Sequence, residues 1–338
     1  MTSGKRPGKM TRSVLLLHGL TAKLTALVVL AITTATPTMA QTVLRVGHFP
    51  NVTHVQALVA HYLSRHGKGW FEERCGADVK IEWYVYNAGP GAMEALFAKS
   101  IDLTYVGPNP AINAYSKARG QEVRIAAGAV DGGSALVVQS DSTLKTAADF
   151  RGKKIATPQF GNTQDVAARA WLAAGGLKIT QSGGDAQVIP TANPDQLVLF
   201  KQRALDAVWT VEPWVSRLEL EAGGKILVED RDAITTVLVA SAELLASKRE
   251  LARRFIRAHH ELTQWIGNNG EEAQRMVREE LGAEMHTSLS EQLVASAWKR
   301  IVLTADVSID ELKKFVASAQ AAGFLRDVPD MGRLVERP

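Results

Sequence analysis

Cysteine is almost missing from this sequence. Cys75 stands alone among 338 residues, so no intrachain disulfide can staple the fold. A lone thiol beside Trp70 and Phe71 reads as a packed residue rather than a nucleophile. Metal-binding motifs are missing too: the histidines show no HExxH grouping and there is no CxxC. No metal and no cofactor is therefore expected. The apolar run Leu24–Ile32 is about nine residues long, where a membrane span needs roughly twenty.

Acidic residues are absent from residues 1–40, which carry Lys5, Arg6, Lys9, Arg12 and Lys23. The apolar run follows these cations, and Thr38-Met39-Ala40 places small residues at the −3 and −1 positions of a cleavage site. Residues 1–40 thus read as a secretory signal peptide cleaved near Ala40, with an uncleaved anchor as the alternative. No cysteine follows Ala40 to take a lipid. The whole chain has 39 basic and 35 acidic residues, and residues 1–40 hold 5 basic and 0 acidic. The remainder therefore carries 34 basic against 35 acidic, a formal net charge of −1. The basic excess belongs to the leader, which removes the case for nucleic acid or an anionic membrane as partner.

What is present is an alternation of strand and helix from Val43 onward. Val43–Val46 predicts a strand, and Val52–His66 a helix with Val55, Leu58, Val59 and Tyr62 at helical spacing. Strand Val79–Tyr86, helix Gly91–Lys99, strand Leu103–Tyr105 and a helix from Pro110 to Arg119 follow. Val123–Ala127 and Ala135–Gln139 read as strands separated by Gly128 to Gly133. The pattern then repeats through strands Lys154–Ala156, Gln187–Ile189, Ala207–Thr210 and Lys225–Leu227 and the helices between them. Thr235–Ala240 is one more strand. Beyond it no strand is expected, only helices, with capping boxes at Ser247/Glu250 and Ser308/Glu311. This order predicts an α/β fold with mainly parallel sheets. It divides into a discontinuous first lobe (41–133 and 231–338) and a second lobe (134–230). The C-terminal helices are expected to pack on the first lobe. Crossovers near Ser134–Asp141 and Lys225–Thr235 would form a hinge.

The chemistry concentrates where polar or glycine-bearing loops follow strand ends, the edge at which open α/β sheets bind ligands. Strand Lys154–Ala156 runs into Pro158 and then Gly161-Asn162-Thr163-Gln164-Asp165, which opens a helix. Free backbone N–H groups and the positive end of the helix dipole make such a turn an anion cradle. Comparable loops hold His48, Phe49, Asn51 and His54; Gly89; Asn109; Ser134; and Glu212 with Trp214. His48 and His54 are candidate anion donors or bases, but no serine, cysteine or acid stands near them in a nucleophilic pattern. Glu212 either caps the helix after Pro213 or binds an amine. Phe49 and Trp214 divide between core packing and an apolar wall for an alkyl group.

Four segments together resemble the periplasmic solute-binding proteins of ABC importers for aliphatic sulfonates, taurine and nitrate. They are Val46 to His54, Ile101 to Pro110, Lys153–Arg169 and Asp206 to Trp214. The resemblance covers essentially the whole chain after the leader. It implies a type II periplasmic-binding, Venus-flytrap fold and a periplasmic location. It also implies a small anionic ligand and delivery to a membrane permease with its ATPase, by a monomer without catalysis. Such proteins hold their anion with backbone N–H groups and hydroxyl or amide side chains, which Asn162, Thr163 and Gln164 supply. An aliphatic sulfonate is the leading ligand, with nitrate or another oxyanion next and a pyrimidine-type ligand third. The rival classes are an enzyme of the pyrimidine-synthesis branch, whose cysteine-rich motif is absent, and an effector-sensing domain.

Overall fold

The structure, a computed structural model, describes residues 1, 4, 41–181, 183–327 and 330–336. The expected signal peptide lies outside the described residues except at Met1 and Gly4. From Gln41 the chain forms β1 (Thr42–His48), a 3-10 turn (Val52–His54), α1 (Val55–Arg65), α2 (Trp70–Cys75) and β2 (Val79–Val85). Next come α3 (Gly89–Phe97), β3 (Leu103–Val106), α4 (Pro108–Lys117) and β4 (Val123–Gly132). A second run holds β5 (Ser134–Val138), β6 (Lys154–Thr157), α5 (Thr163–Ala174), β7 (Ile179–Thr180), β8 (Gly183–Gly184) and β9 (Gln187–Pro190). It continues with α6 (Asn193–Lys201), β10 (Ala207–Val211), α7 (Trp214–Ala222) and β11 (Lys225–Glu229). The chain ends with β12 (Ile234–Ser241), α8 (Ala242–Ser247), α9 (Arg249–Asn268), α10 (Gly270–Met285), α11 (Glu291–Trp298), β13 (Ile301–Leu303) and α12 (Ile309–Ala321).

Two main sheets result, one per lobe. The first has the order β13-β4-β12-β3-β1-β2 and the second β11-β5-β10-β6-β9. Their apolar residues alternate between two faces, as the period of two in a strand requires. In β12, Leu238 and Ala240 join the cluster under α1, α9 and α10, while Val237 and Val239 join the one under α3, α4 and α12. In β5, Leu136 and Val138 face one cluster and Ala135 and Val137 the other. Helices cover both faces of both sheets, and burying each aliphatic side chain contributes roughly 1.5–3 kcal/mol.

Several expectations needed correction. The sheets are mixed rather than mainly parallel: β1 pairs parallel with β2 and β3, but β12 runs antiparallel to β3 and β4, and β5 antiparallel to β10 and β11. A returning strand that closes a lobe enters from the opposite direction, which alternating apolar runs do not reveal. The strand expected to stop at Ala127 runs on to Gly132, because β12 supplies its ladder through the glycines. A strand also appears after Ala240: Ile301–Leu303 pairs with β4 at the sheet edge, too short to show a period. Ser247 caps nothing; its hydroxyl donates to Glu243 O, and Lys248 precedes α9. Ser308 does cap α12, accepting from Glu311 N. The C-terminal helices pack on the first lobe, as expected, and the segment after α12 also reaches the second, where Phe324 meets Phe160.

Candidate functional site

The cradle is built from the β6–α5 turn. Gly161 has φ +76°, a left-handed backbone that glycine adopts without a Cβ penalty, and this turns the chain into the helix. Asn162 is the N-cap, its Oδ1 accepting from Asp165 N at 2.9 Å. Asp165 is fully buried and accepts from Gly161 N at 3.0 Å and Thr157 Oγ1 at 2.9 Å. Arg169, also buried, pairs with it at 3.0 Å and donates to the carbonyls of Thr180 and Val188. One of the cradle's N–H groups is thus taken by Asp165, whose charge Arg169 neutralises. The N–H groups of Thr163 and Gln164 keep no acceptor among the described residues. They are the orphan donors of a helix N-terminus.

Around this turn lies a narrow cleft between the lobes. Phe49, Asn51, Thr53, His54 and Gly89 line it from the first lobe, and Asn162, Thr163 and Gln164 from the second. The buried hydroxyls of Thr53 and Thr163, one from each lobe, have no hydrogen-bond partner among the described residues. His54 is buried, and burial together with the nearby His48 holds its imidazole well below the usual histidine range. Its Nδ1 accepts from Phe49 N at 3.3 Å, so the neutral ring carries its proton on Nε2 as a donor. Asn51 Oδ1 accepts from Trp214 Nε1 at 3.1 Å, which leaves the amide N–H2 of Asn51 as a donor. The site thus offers hydroxyl, amide, imidazole and backbone donors with no free carboxylate, a set suited to an oxyanion. Its cavity volume is about 30 Å³.

Ser134 lies beside the cleft rather than in it. Its Oγ accepts from Gln164 Nε2 at 3.3 Å, and Gln164 Oε1 accepts from Asn162 Nδ2 at 3.1 Å. Ser134, Thr163 and Gln164 also border a second cavity of about 370 Å³ on the same measure. Ala167, Ala170, Trp171, Trp209, Ile234 and Phe315 give that cavity apolar walls. Thr235, which the sequence did not single out, lines both spaces. Thr53 lies within the Val46 to His54 segment, although no side-chain role is read from it there, and Thr235, within β12, carries no motif.

Four candidates are placed elsewhere. His48 is fully buried against Glu284, 3.1 Å away. Asn109 donates to Phe315 O at 3.3 Å under α12. Trp214 packs into the second lobe's core with Arg217 over its ring, and its indole ties the lobes together through Asn51. Glu212 is fully buried and accepts from Ser216 N, Ser216 Oγ and Arg300 Nη1. Its backbone joins Val52 N to Gly133 O at the crossover between the sheets. Burial pushes its carboxyl up to about 7 against the pull of Ser216 and Arg300. The capping alternative therefore describes Glu212 better than amine binding. Cys75 is buried in the first lobe, and burial pushes its thiol up to about 12, the state of a packed residue.

Two α/β lobes with a polar cleft at their strand ends form the fold of periplasmic binding proteins. The chain belongs to the NMT1-like family, whose model matches residues 38–279. It is similar to a protein of Escherichia coli (strain K12) that carries the provisional name aliphatic sulfonates-binding protein. The two are 31% identical over 156 residues, 45% of this chain and 46% of that one. The chain thus spans about half the length of the curated relatives it matches. The fold is that of the alkanesulfonate-binding protein SsuA of Xanthomonas axonopodis pv. citri bound to MOPS. That superposition has a TM-score of 0.71 at 21% identity over 88% of this chain and 99% of that one. The nitrate-binding protein NrtA of Synechocystis PCC 6803 superposes with a TM-score of 0.65 at 15% identity, covering 86% of this chain and 84% of that one. All three are named as binding proteins. Among the described residues no helix is long and apolar enough to cross a membrane.

Proposed function

We propose that the protein is the extracytoplasmic binding component of an ABC importer that captures a small organic anion between its lobes. An aliphatic sulfonate suits the site best. The observation that carries this reading is the pair of unpartnered buried hydroxyls, Thr53 and Thr163, facing one cleft beside the free N–H groups of Thr163 and Gln164. A buried polar group without a partner costs roughly 1–3 kcal/mol, and an oxyanion between the lobes would satisfy both at once. The sulfonate oxygens would take these donors together with His54 and Asn51. The organic group would lie along Thr163, Gln164 and Thr235 toward the apolar cavity of Trp171 and Trp209.

A charge-assisted hydrogen bond contributes roughly 1.5–3 kcal/mol and a helix terminus about 0.3–1 kcal/mol more. A few such contacts, offset by ordering and lobe closure, reach the roughly −8 kcal/mol of micromolar binding. We read the protein as a carrier without turnover, exported by residues 1–40, that hands its ligand to a membrane permease. Nitrate is the second reading, favoured by the small space at the cradle. A thermal-shift panel of alkanesulfonates, taurine, nitrate and sulfate tests the proposal. A rise in Tm with one of the sulfonates supports it, and a flat response across the panel removes it.

A further inference from the structure

A second constellation lies in the first lobe, behind the loop that carries Phe49 and Asn51. His48 ends β1, His61 sits in α1 and Glu284 in the last turn of α10. His48 Nε2 and His61 Nδ1 stand 3.1 and 3.0 Å from the same oxygen, Glu284 Oε1. One ligand atom from each of the three residues falls within 4.8 Å of the other two. We propose that His48 Nε2, His61 Nδ1 and the Glu284 carboxylate form a binding site for a divalent cation of the zinc class.

The orphaned atoms argue for it first. His48 Nε2 and Glu284 Oε2 are buried and lack a hydrogen-bond partner among the described residues. His48 Nδ1 lies 3.3 Å from Phe49 O; a carbonyl only accepts, so the ring donates there and turns the lone pair of Nε2 toward Glu284. In the neutral ring that lone pair faces the carboxylate 3.1 Å away, and either a second ring proton, which makes the contact an ion pair, or a metal cation in its place satisfies both atoms. A backbone carbonyl holding the far nitrogen is the usual support of a metal-bound imidazole. The two nitrogen–oxygen spacings agree as well, because ligands about 2.0 Å from a tetrahedral ion stand about 3.3 Å apart. Two imidazoles and one carboxylate are borderline donors that suit zinc rather than calcium or magnesium.

The surroundings fix the rings and leave a way in. Trp83 stacks on His61 at 5.4 Å and meets His48 edge-on at 5.6 Å. Glu280 Oε1 lies 2.9 Å from His61 Nδ1 and is held by Arg65 at 3.1 Å. The His61 side chain is 16% exposed, against 0% for His48 and 3% for Glu284, so an ion enters past His61. The ligands come from β1, α1 and α10, so a bound ion would clamp the C-terminal helices to the strand that feeds the cleft. This is a structural site, separate from anion binding. Its ligands are too far apart in sequence to form a motif.

The test uses the purified protein stripped with a chelator and titrated with Zn²⁺ by calorimetry. The expected result is one ion per chain and a raised Tm. His61→Ala and Glu284→Gln should each lower the affinity at least about tenfold, while His286→Ala, at an exposed position, leaves it unchanged. Should the variants fail to fold, Co²⁺ in the unaltered protein decides. Strong visible bands of a four-coordinate ion support the site, and the pale spectrum of a six-coordinate ion overturns it. Absence of saturable Zn²⁺ heat, or equal binding in the two ligand variants, overturns it too.

Discussion

Gly107 and Thr163 meet across the cleft, so closely that a β-carbon on the glycine would overlap the threonine hydroxyl. Gly107 precedes α4 in the first lobe and Thr163 opens α5 in the second. Its φ of −69° is open to any residue, so glycine is needed here for contact between the lobes and not for backbone freedom. Gly107→Ala is therefore predicted to fold normally and to hold the lobes apart. Calorimetry should show anion affinity falling tenfold or more with Tm in the absence of ligand changed by less than a few degrees.

Asn162 and Thr163 carry separable roles. Asn162 caps α5 through Asp165 N, so Asn162→Ala should lower stability by about 1 kcal/mol. Thr163 Oγ1 has no partner within the described protein, so Thr163→Ala should leave the urea midpoint almost unchanged. Combining the two should weaken anion binding tenfold or more, and Thr163→Ser should restore most of the loss assigned to the hydroxyl.

Asp165 and Arg169 form a buried pair beneath the cradle. Removing one partner leaves the other charge unpaired and costs about 3–5 kcal/mol. Arg169→Ala is predicted to lose stability on that scale in urea denaturation. It should also weaken anion binding, because the uncovered Asp165 carboxylate then repels the ligand through the same turn.

His259 gives the fold an acid-sensitive element. Its Nε2–H donates to Gly128 O at 2.7 Å and its Nδ1 accepts from Tyr105 at 2.9 Å, an arrangement that only the neutral ring can make. Burial lowers its pKa from 6.5 to about 4. Between those values the unfolded chain binds the proton and the folded one does not, so stability falls as pH drops from 6.5 to about 4 and this contribution is flat above 6.5. A shift of that size corresponds to about 3 kcal/mol. Chemical denaturation across this window should show the slope, and His259→Gln should reduce it.

The strand and helix alternation was legible because apolar periodicity records which side chains face a core. So was the β6–α5 turn, where glycine, a capping asparagine and a helix start fall together. Pairing direction and the strand Ile301–Leu303 were not legible, since both depend on a partner far along the chain. At the site, Asn51, His54, Asn162, Thr163 and Gln164 line one cleft. Glu212 and His48 looked equally chemical in sequence but serve Arg300 and Ser216 in one case and face Glu284 in the other. Both groups are buried; what separates them is whether the side chain borders the cleft or packs behind it, and that leaves no local trace in the sequence. Thr53 and Thr235 show the converse: a lone threonine in a short turn or at the start of a strand looks like ordinary structure.

The central claim is that an organic anion binds between the lobes at Thr163. Calorimetric titration of the protein with an alkanesulfonate, repeated with the Thr163→Ala variant, tests it most directly. The account predicts saturable 1:1 binding in the micromolar range that weakens at least tenfold in the variant. No binding across alkanesulfonates and nitrate, or equal affinity in both proteins, would contradict it.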